Sequence, residues 1–196
     1  EKGVAGQDGE DGQDGEAGPE GEVGPAGASI VRSVPSTSTI TTLDATGIVG
    51  LDASATIGAD GLGLISYYDN TNEDVKVAHC SDTNCTSATI TTLDSTGTVG
   101  LYPSITIGAD GLGLISYLDS TNKDLKVAHC SDTNCTAATI NTLDSGSNFS
   151  DMSVTIGADG LGLIIYYEPF VGDLLVGDLK VAHCENAFCA PYFRRR

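Results

Sequence analysis

The string Ile-Gly-Ala-Asp-Gly-Leu-Gly-Leu-Ile begins at Ile57, Ile107 and Ile156, at steps of 50 and 49 residues. A period of this length means that one small unit is built three times and buries its apolar faces against its neighbours. Residues 57–94 and 107–144 are identical at 32 of 38 positions, differing at 68, 70, 73, 75, 87 and 91 of the first copy. The third copy is looser, with EPFVGDLLVGD at 168–178 where the second has DSTNKD at 119–124.

Each unit reads as four short strands with no helical periodicity. In the first copy they cover 54–57, 62–68, 75–80 and 86–93. The intervening turns are Gly-Ala-Asp-Gly, Asp-Asn-Thr-Asn-Glu-Asp and Ser-Asp-Thr-Asn, whose residues favour turns by supplying φ > 0 or side-chain hydrogen bonds. Alternation places Val75, Val77 and His79 on one face of the third strand, with Lys76 and Ala78 on the other. Residues 36–44 (STSTITTLD) match the fourth strand of a unit (TSATITTLD) yet precede any first strand. The chain therefore runs D, ABC-D, ABC-D, ABC. Repeats near 45–94, 95–144 and 145–189 all become four-stranded only if strand 36–44 completes the last one.

The repeat, with ISYYD followed by a KVAHC strand and a nearby second cysteine, resembles blade-like repeats of bacterial surface proteins over about residues 36–189. The resemblance implies a β-propeller-like head. Three blades are too few for a ring, since propellers have about 4–8. Two arrangements remain open: a larger ring shared by three chains with the D strand exchanged, or a pseudo-threefold β-prism or β-trefoil-like head within one chain.

A second architecture precedes the repeats. Glycine recurs at Gly3, Gly6, Gly9, Gly12, Gly15, Gly18, Gly21, Gly24 and Gly27, which makes nine uninterrupted triplets. Only glycine fits at the axis of a collagen triple helix, so residues 1–28 are expected to form a collagen-like stalk and residues 29–196 an all-β head. The segment is similar to bacterial and phage collagen-like stalks, in which GQD and GED triplets are common, and the resemblance implies a homotrimer. It has only Pro19 and Pro25 and no lysine within the triplets, so its helix needs a neighbouring domain to hold three chains in register. A start at Glu-Lys-Gly is what a processed product or an excised piece would show.

Six cysteines form three pairs of equal spacing: Cys80 and Cys85, Cys130 and Cys135, Cys184 and Cys189. An even count with one spacing per repeat points to local disulfides and an oxidising, extracellular or cell-surface setting. A short bridge of about 2 kcal/mol also guards near-identical repeats against pairing with the wrong copy. The rival reading is zinc held by these cysteines with His79, His129 and His183, although structural zinc favours closer cysteines and a fourth ligand.

The remaining candidates are weak. Residues 69–74 and 119–124 have alternating oxygen ligands but lack the glycine and terminal glutamate of a calcium loop, and read as polar hairpin turns. Gly-Ala-Asp-Gly-Leu-Gly opens no helix, which argues against a phosphate loop. Three sequons, at Asn84, Asn134 and Asn148, are weak glycosylation signals, since two contain a cysteine expected to be bridged. No cofactor and no catalytic grouping stand out, so the chain is expected not to be an enzyme.

A formal net charge of −18 excludes nucleic acid as a partner, because phosphate binding needs a basic face. No apolar run is long enough to cross a membrane as a helix. The basic exception is the tail Arg194, Arg195 and Arg196, which could meet Asp8, Asp11 and Asp14 of the next molecule in a head-to-tail contact. The expected function is a structural subunit of an extracellular fibre, homotrimerising through the stalk. The alternative is a trimeric adhesin, or a lectin-like or phage-fibre tip, binding glycan or protein.

Overall fold

The computed structural model describes residues 3, 4, 6, 40–170 and 173–190, with the backbone alone at Phe170 and 173–175. Most of the Gly-X-Y segment, Arg194–Arg196, Asp8, Asp11 and Asp14 lie outside the described residues, as do residues 36–39. All described strands belong to the unit Thr39–Arg196.

Among the described residues, eleven antiparallel strands form three consecutive sheets. Sheet 1 holds β1 (Val49–Ile57), β2 (Gly63–Asp69), β3 (Asp74–Cys80) and β4 (Ala88–Asp94) in chain order. Sheet 2 repeats this with β5 (Val99–Ile107), β6 (Gly113–Asp119), β7 (Asp124–Cys130) and β8 (Ala138–Ser145). Sheet 3 has β9 (Ser150–Ile156), β10 (Gly162–Phe170) and β11 (Asp173–His183), with β11 at its edge. Simple meanders of this kind follow from the short turns. Gly58 N–H donates to the Leu62 carbonyl at 2.7 Å, and Gly61, at φ 81°, lets the chain reverse there.

The sheets stack face on face rather than sharing one centre. One apolar layer joins Leu64, Val75 and Val77 of sheet 1 to Val99, Ile105, Ile115, Tyr117 and Ala128 of sheet 2. A second joins Leu114, Leu118, Leu125 and Val127 of sheet 2 to Phe149, Met152, Val154, Ile164 and Tyr166 of sheet 3. Two separate layers correspond to successive propeller-like blades, not to a prism or trefoil.

Three expectations need correction. Sheet 3 is three-stranded among the described residues. Residues 40–44 are not a strand, although 90–94 carry the same sequence and form one. The first strand begins at Val49, not at 54, because bulges at Gly50 (φ 83°) and Asp52 (φ 52°) bend it without ending its pairing. On β3 the face that alternation gives to Val75, Val77 and His79 is buried, and Ala78 on the other face is buried as well.

Lysine can sit inside such a stack only if it is paired. Lys76 bonds Asp69 at 2.5 Å and lies 3.8 Å from Asp44; Lys126 bonds Asp119 at 2.7 Å and Asp94 at 3.3 Å. A tyrosine of the same sheet as the lysine closes each cluster onto the aspartate of the preceding element, with Tyr117 O–H donating to Asp94 at 2.9 Å and Tyr67 O–H to Asp44 at 2.8 Å. Burial would push the Asp69 carboxyl up, but Lys76 and the Asn72 side chain and amide outweigh it and hold its pKa at about 2. Asp119 is lowered by the same balance of burial against Lys126 and Asn122. A depressed carboxylate contributes stability above its unfolded pKa and loses it as pH falls through the folded value. Urea midpoints are therefore expected to drop between about pH 4 and about pH 2. A midpoint at about pH 2 equal to that at about pH 6 would contradict the pairing.

Candidate functional site

The three sites suggested by repeated sequence are each occupied by the protein itself. The cysteines form the bridges Cys80–Cys85, Cys130–Cys135 and Cys184–Cys189, with Cα separations of 4.9, 4.9 and 4.7 Å. Their sulfurs are thus unavailable to zinc, and among the described residues no group of three metal-ligating side chains occurs. His79, His129 and His183 do not converge. Each Nε2 lies 2.8 Å from the aspartate of its own Gly-Ala-Asp-Gly turn, Asp60, Asp110 and Asp159. The turn amide of Leu62, ahead of the contact with His79, holds the Asp60 carboxyl below its ordinary range.

The 69–74 turn is similarly self-satisfied. Asp69 Oδ1 accepts the amides of Thr71 and Asn72 at 3.0 and 3.1 Å, and Oδ2 accepts Asn72 Nδ2 at 2.8 Å. Little of its oxygen capacity is left for calcium. Asp82 and Asp132 cap the disulfide turns in the same manner, accepting the amides of Asn84 and Asn134 at 2.8 and 2.9 Å.

The site the repeats do not advertise lies where β1, β5 and β9 run side by side. Ser54 Oγ accepts the Ile105 amide at 3.2 Å, and Ser104 Oγ accepts the Val154 amide at 3.1 Å, so these three strands are tied in series. At one equivalent bulge position each strand turns into the left-handed region: Asp52 at φ 52°, Tyr102 at φ 52° and Asp151 at φ 50°. All three line a single cleft of about 300 Å³, with Ala53, Ser54, Pro103, Ser104 and Met152. Left-handed backbone is costly for such residues and is retained where the surroundings over-determine it, often at functional positions. Ser150 Oγ donates to Asp151 at 3.0 Å; the Asp52 side chain has no hydrogen bond among the described residues. Two carboxylates, a tyrosine and a concave surface can accept hydroxyl hydrogen bonds and cover an apolar face. Sequence reading missed this cleft. No signal marked it, since Asp52, Tyr102 and Asp151 fall in a stretch before the repeated Ile-Gly-Ala-Asp-Gly string where the three copies differ at many positions.

No family model matches the chain, and no curated protein matches it. Among solved structures, an endo-arabinase from Bacteroides thetaiotaomicron VPI-5482 is similar with a TM-score of 0.48 and 14% identity, over 69% of this chain and 56% of its own. An α-L-arabinofuranosidase from Lactobacillus brevis gives 0.47 and 14%, over 72% and 51%. A fucose lectin from Kordia zhangzhouensis, in complex with methyl-fucoside, gives 0.42 and 10%, over 68% and 98%. The chain thus spans about half the length of the first two. The likeness is one of all-β repeat architecture.

These structures correct the expectation that the chain is not an enzyme, because two of the three are enzymes. The class defined by fold and crosslinks is an all-β, blade-repeat protein of an oxidising, extracellular setting. Among the described residues no helix is long and apolar enough to cross a membrane.

Proposed function

We propose that the protein is a secreted glycan-binding head whose sugar site is the cleft between β1, β5 and β9. The observation that carries this is the convergence of Asp52, Tyr102 and Asp151, at one left-handed position of three strands, on one cavity of about 300 Å³. Carboxylates accept hydrogen bonds from neighbouring sugar hydroxyls, and a tyrosine ring covers the apolar face of a pyranose or furanose. The volume suits a short saccharide at the lower end of the range of small-molecule sites. Two carboxylates in one cleft are also the pair that glycosidic cleavage requires, so binding and cleavage belong in one assay.

Calorimetric titration with methyl-fucoside, an arabinofuranoside and a panel of short glycans tests the reading, with reducing ends measured alongside. A saturable ligand is expected, and Asp52→Asn or Asp151→Asn should weaken it about tenfold or more, the worth of one hydrogen bond to a charge. Asp178→Asn, at an exposed position elsewhere, should leave it unchanged. Binding indifferent to both cleft substitutions would exclude this site.

The Gly-X-Y triplets from Gly3 to Gly27 support a further part of the proposal, that three chains associate through a stalk presenting several heads. Arg194–Arg196 meeting Asp8, Asp11 and Asp14 of another molecule would extend such trimers into a fibre.

A further inference from the structure

Both ends of the stack are unfinished, and each end is one half of a contact the chain already makes twice. On the outward face of sheet 3, Leu179 is 76% exposed and Val181 58%. By repeat alignment their counterparts are Val75 and Val77 in sheet 1 and Leu125 and Val127 in sheet 2, all 0% exposed because the next sheet covers them. Ile165 is 39% exposed, where Ser66 and Ser116 are fully buried. Ser153 has no amide partner among the described residues, whereas Ser54 and Ser104 each accept one from the following sheet.

The first face of sheet 1 shows the complementary lack. Gly100 packs so closely on sheet 1 that a Cβ there would lie 2.5 Å from Val75 Cβ. Its counterpart Gly50 has nothing within 4 Å and lines a cleft of about 300 Å³ with Val49, Ala53 and Ile65. Ala55 is exposed, whereas its counterparts Ile105 and Val154 are buried.

The strand count has the same gap. β11 is an edge strand, and an unpaired edge is a template for another chain. Residues 40–44 repeat the Ile-Thr-Thr-Leu-Asp of β4, yet Ile40 is 95% exposed and the segment pairs with no strand among the described residues. Asp44 already receives Tyr67 O–H, as Asp94 of β4 receives Tyr117 O–H one sheet further on. The segment therefore lies where the fourth strand of a preceding sheet would lie, without that sheet.

We infer that a second copy of this chain supplies it. Sheet 3 of one copy seats on sheet 1 of the other, Leu179 enters the cleft at Gly50, and residues 40–44 add to β11 as its fourth strand. In the register that pairs β3 with β4, Thr41 faces Val181 and Ile40 faces Ala182, as Thr91 faces Val77 and Ile90 faces Ala78. The contact is heterologous, so it must close into a ring or run on. With three sheets per copy and about 4–8 blades in known rings, closure falls at two copies. Whatever number of chains the Gly-X-Y segment gathers, each ring takes two heads.

Sedimentation equilibrium of the full chain tests this against Leu179→Asp and, from the opposite end, Ala55→Arg. Both residues are exposed on an isolated head, so each variant should keep the β circular dichroism of the parent. The expected result is a twofold fall in mass for either variant. Unchanged mass with retained dichroism in either one, or a fall by any other factor, would overturn the two-copy ring. If Leu179→Asp alters the dichroism, Ala55→Arg alone decides between these outcomes.

Discussion

Gly100→Ala is expected to destabilise the head by about 4 kcal/mol, combining an overpacking cost of about 1–3 kcal/mol with backbone strain of similar size. Gly100 sits at φ 95°, where any side chain is strained, and its added Cβ would meet Val75 at Cβ, Cα and the backbone nitrogen, at 2.5, 2.6 and 2.7 Å. Backbone cannot swing aside as the tip of a lysine can. The insertion must therefore push β5 off β3 and open the layer that buries Leu64, Val75, Ile115 and Tyr117. Gly50→Ala is the internal control, with φ 83° but nothing within 4 Å. It should cost only the strain, about 1–2 kcal/mol. The comparison belongs in a Leu179→Asp background, where no second copy can crowd Gly50, with urea unfolding followed by circular dichroism. Equal losses from the two substitutions would show that the Gly100 contact carries no packing energy.

The same two glycines show what sequence can and cannot reveal in a repeat protein. Hairpins were legible because their chemistry is local: Gly61 reverses the chain, Asp69 caps its own turn, and Cys80 reaches Cys85 five residues away. The strands between them followed within a few residues. Sequence pattern starts the first strand at 54, beyond the left-handed bulge of β1, and so does not reach Asp52 and its counterparts. Alternation sets Lys76 opposite Val75 and Val77 but carries no information about Asp69 and Asp44 waiting on neighbouring elements. Residues 40–44 and 90–94 make the point most simply. One sequence is strand where β3 stands beside it and irregular where no strand does. Strand formation is a property of a pair, and only the fold says which pairs exist.

Asp119→Ala is expected to cost about 3–5 kcal/mol, the range for removing one member of a buried ion pair. The Asp119 carboxylate is fully buried on the side of sheet 2 that faces sheet 1 and accepts Lys126 Nζ at 2.7 Å, Asn122 Nδ2 at 2.8 Å and the Asn122 amide at 2.9 Å. Its loss leaves Lys126 with Asp94 alone at 3.3 Å and leaves the turn amide without its acceptor. Asp119→Asn should fall between, since it keeps an acceptor for the Asn122 amide but not the charge that Lys126 requires. The third repeat provides the matched comparison. There Glu168 faces Lys180, whose side chain is 37% exposed, so solvent screens the pair. Glu168→Ala should cost no more than about 1 kcal/mol. Urea midpoints of the two alanine variants at neutral pH decide the matter. If Glu168→Ala proved as damaging as Asp119→Ala, the clusters would owe their worth to turn geometry and not to burial of charge.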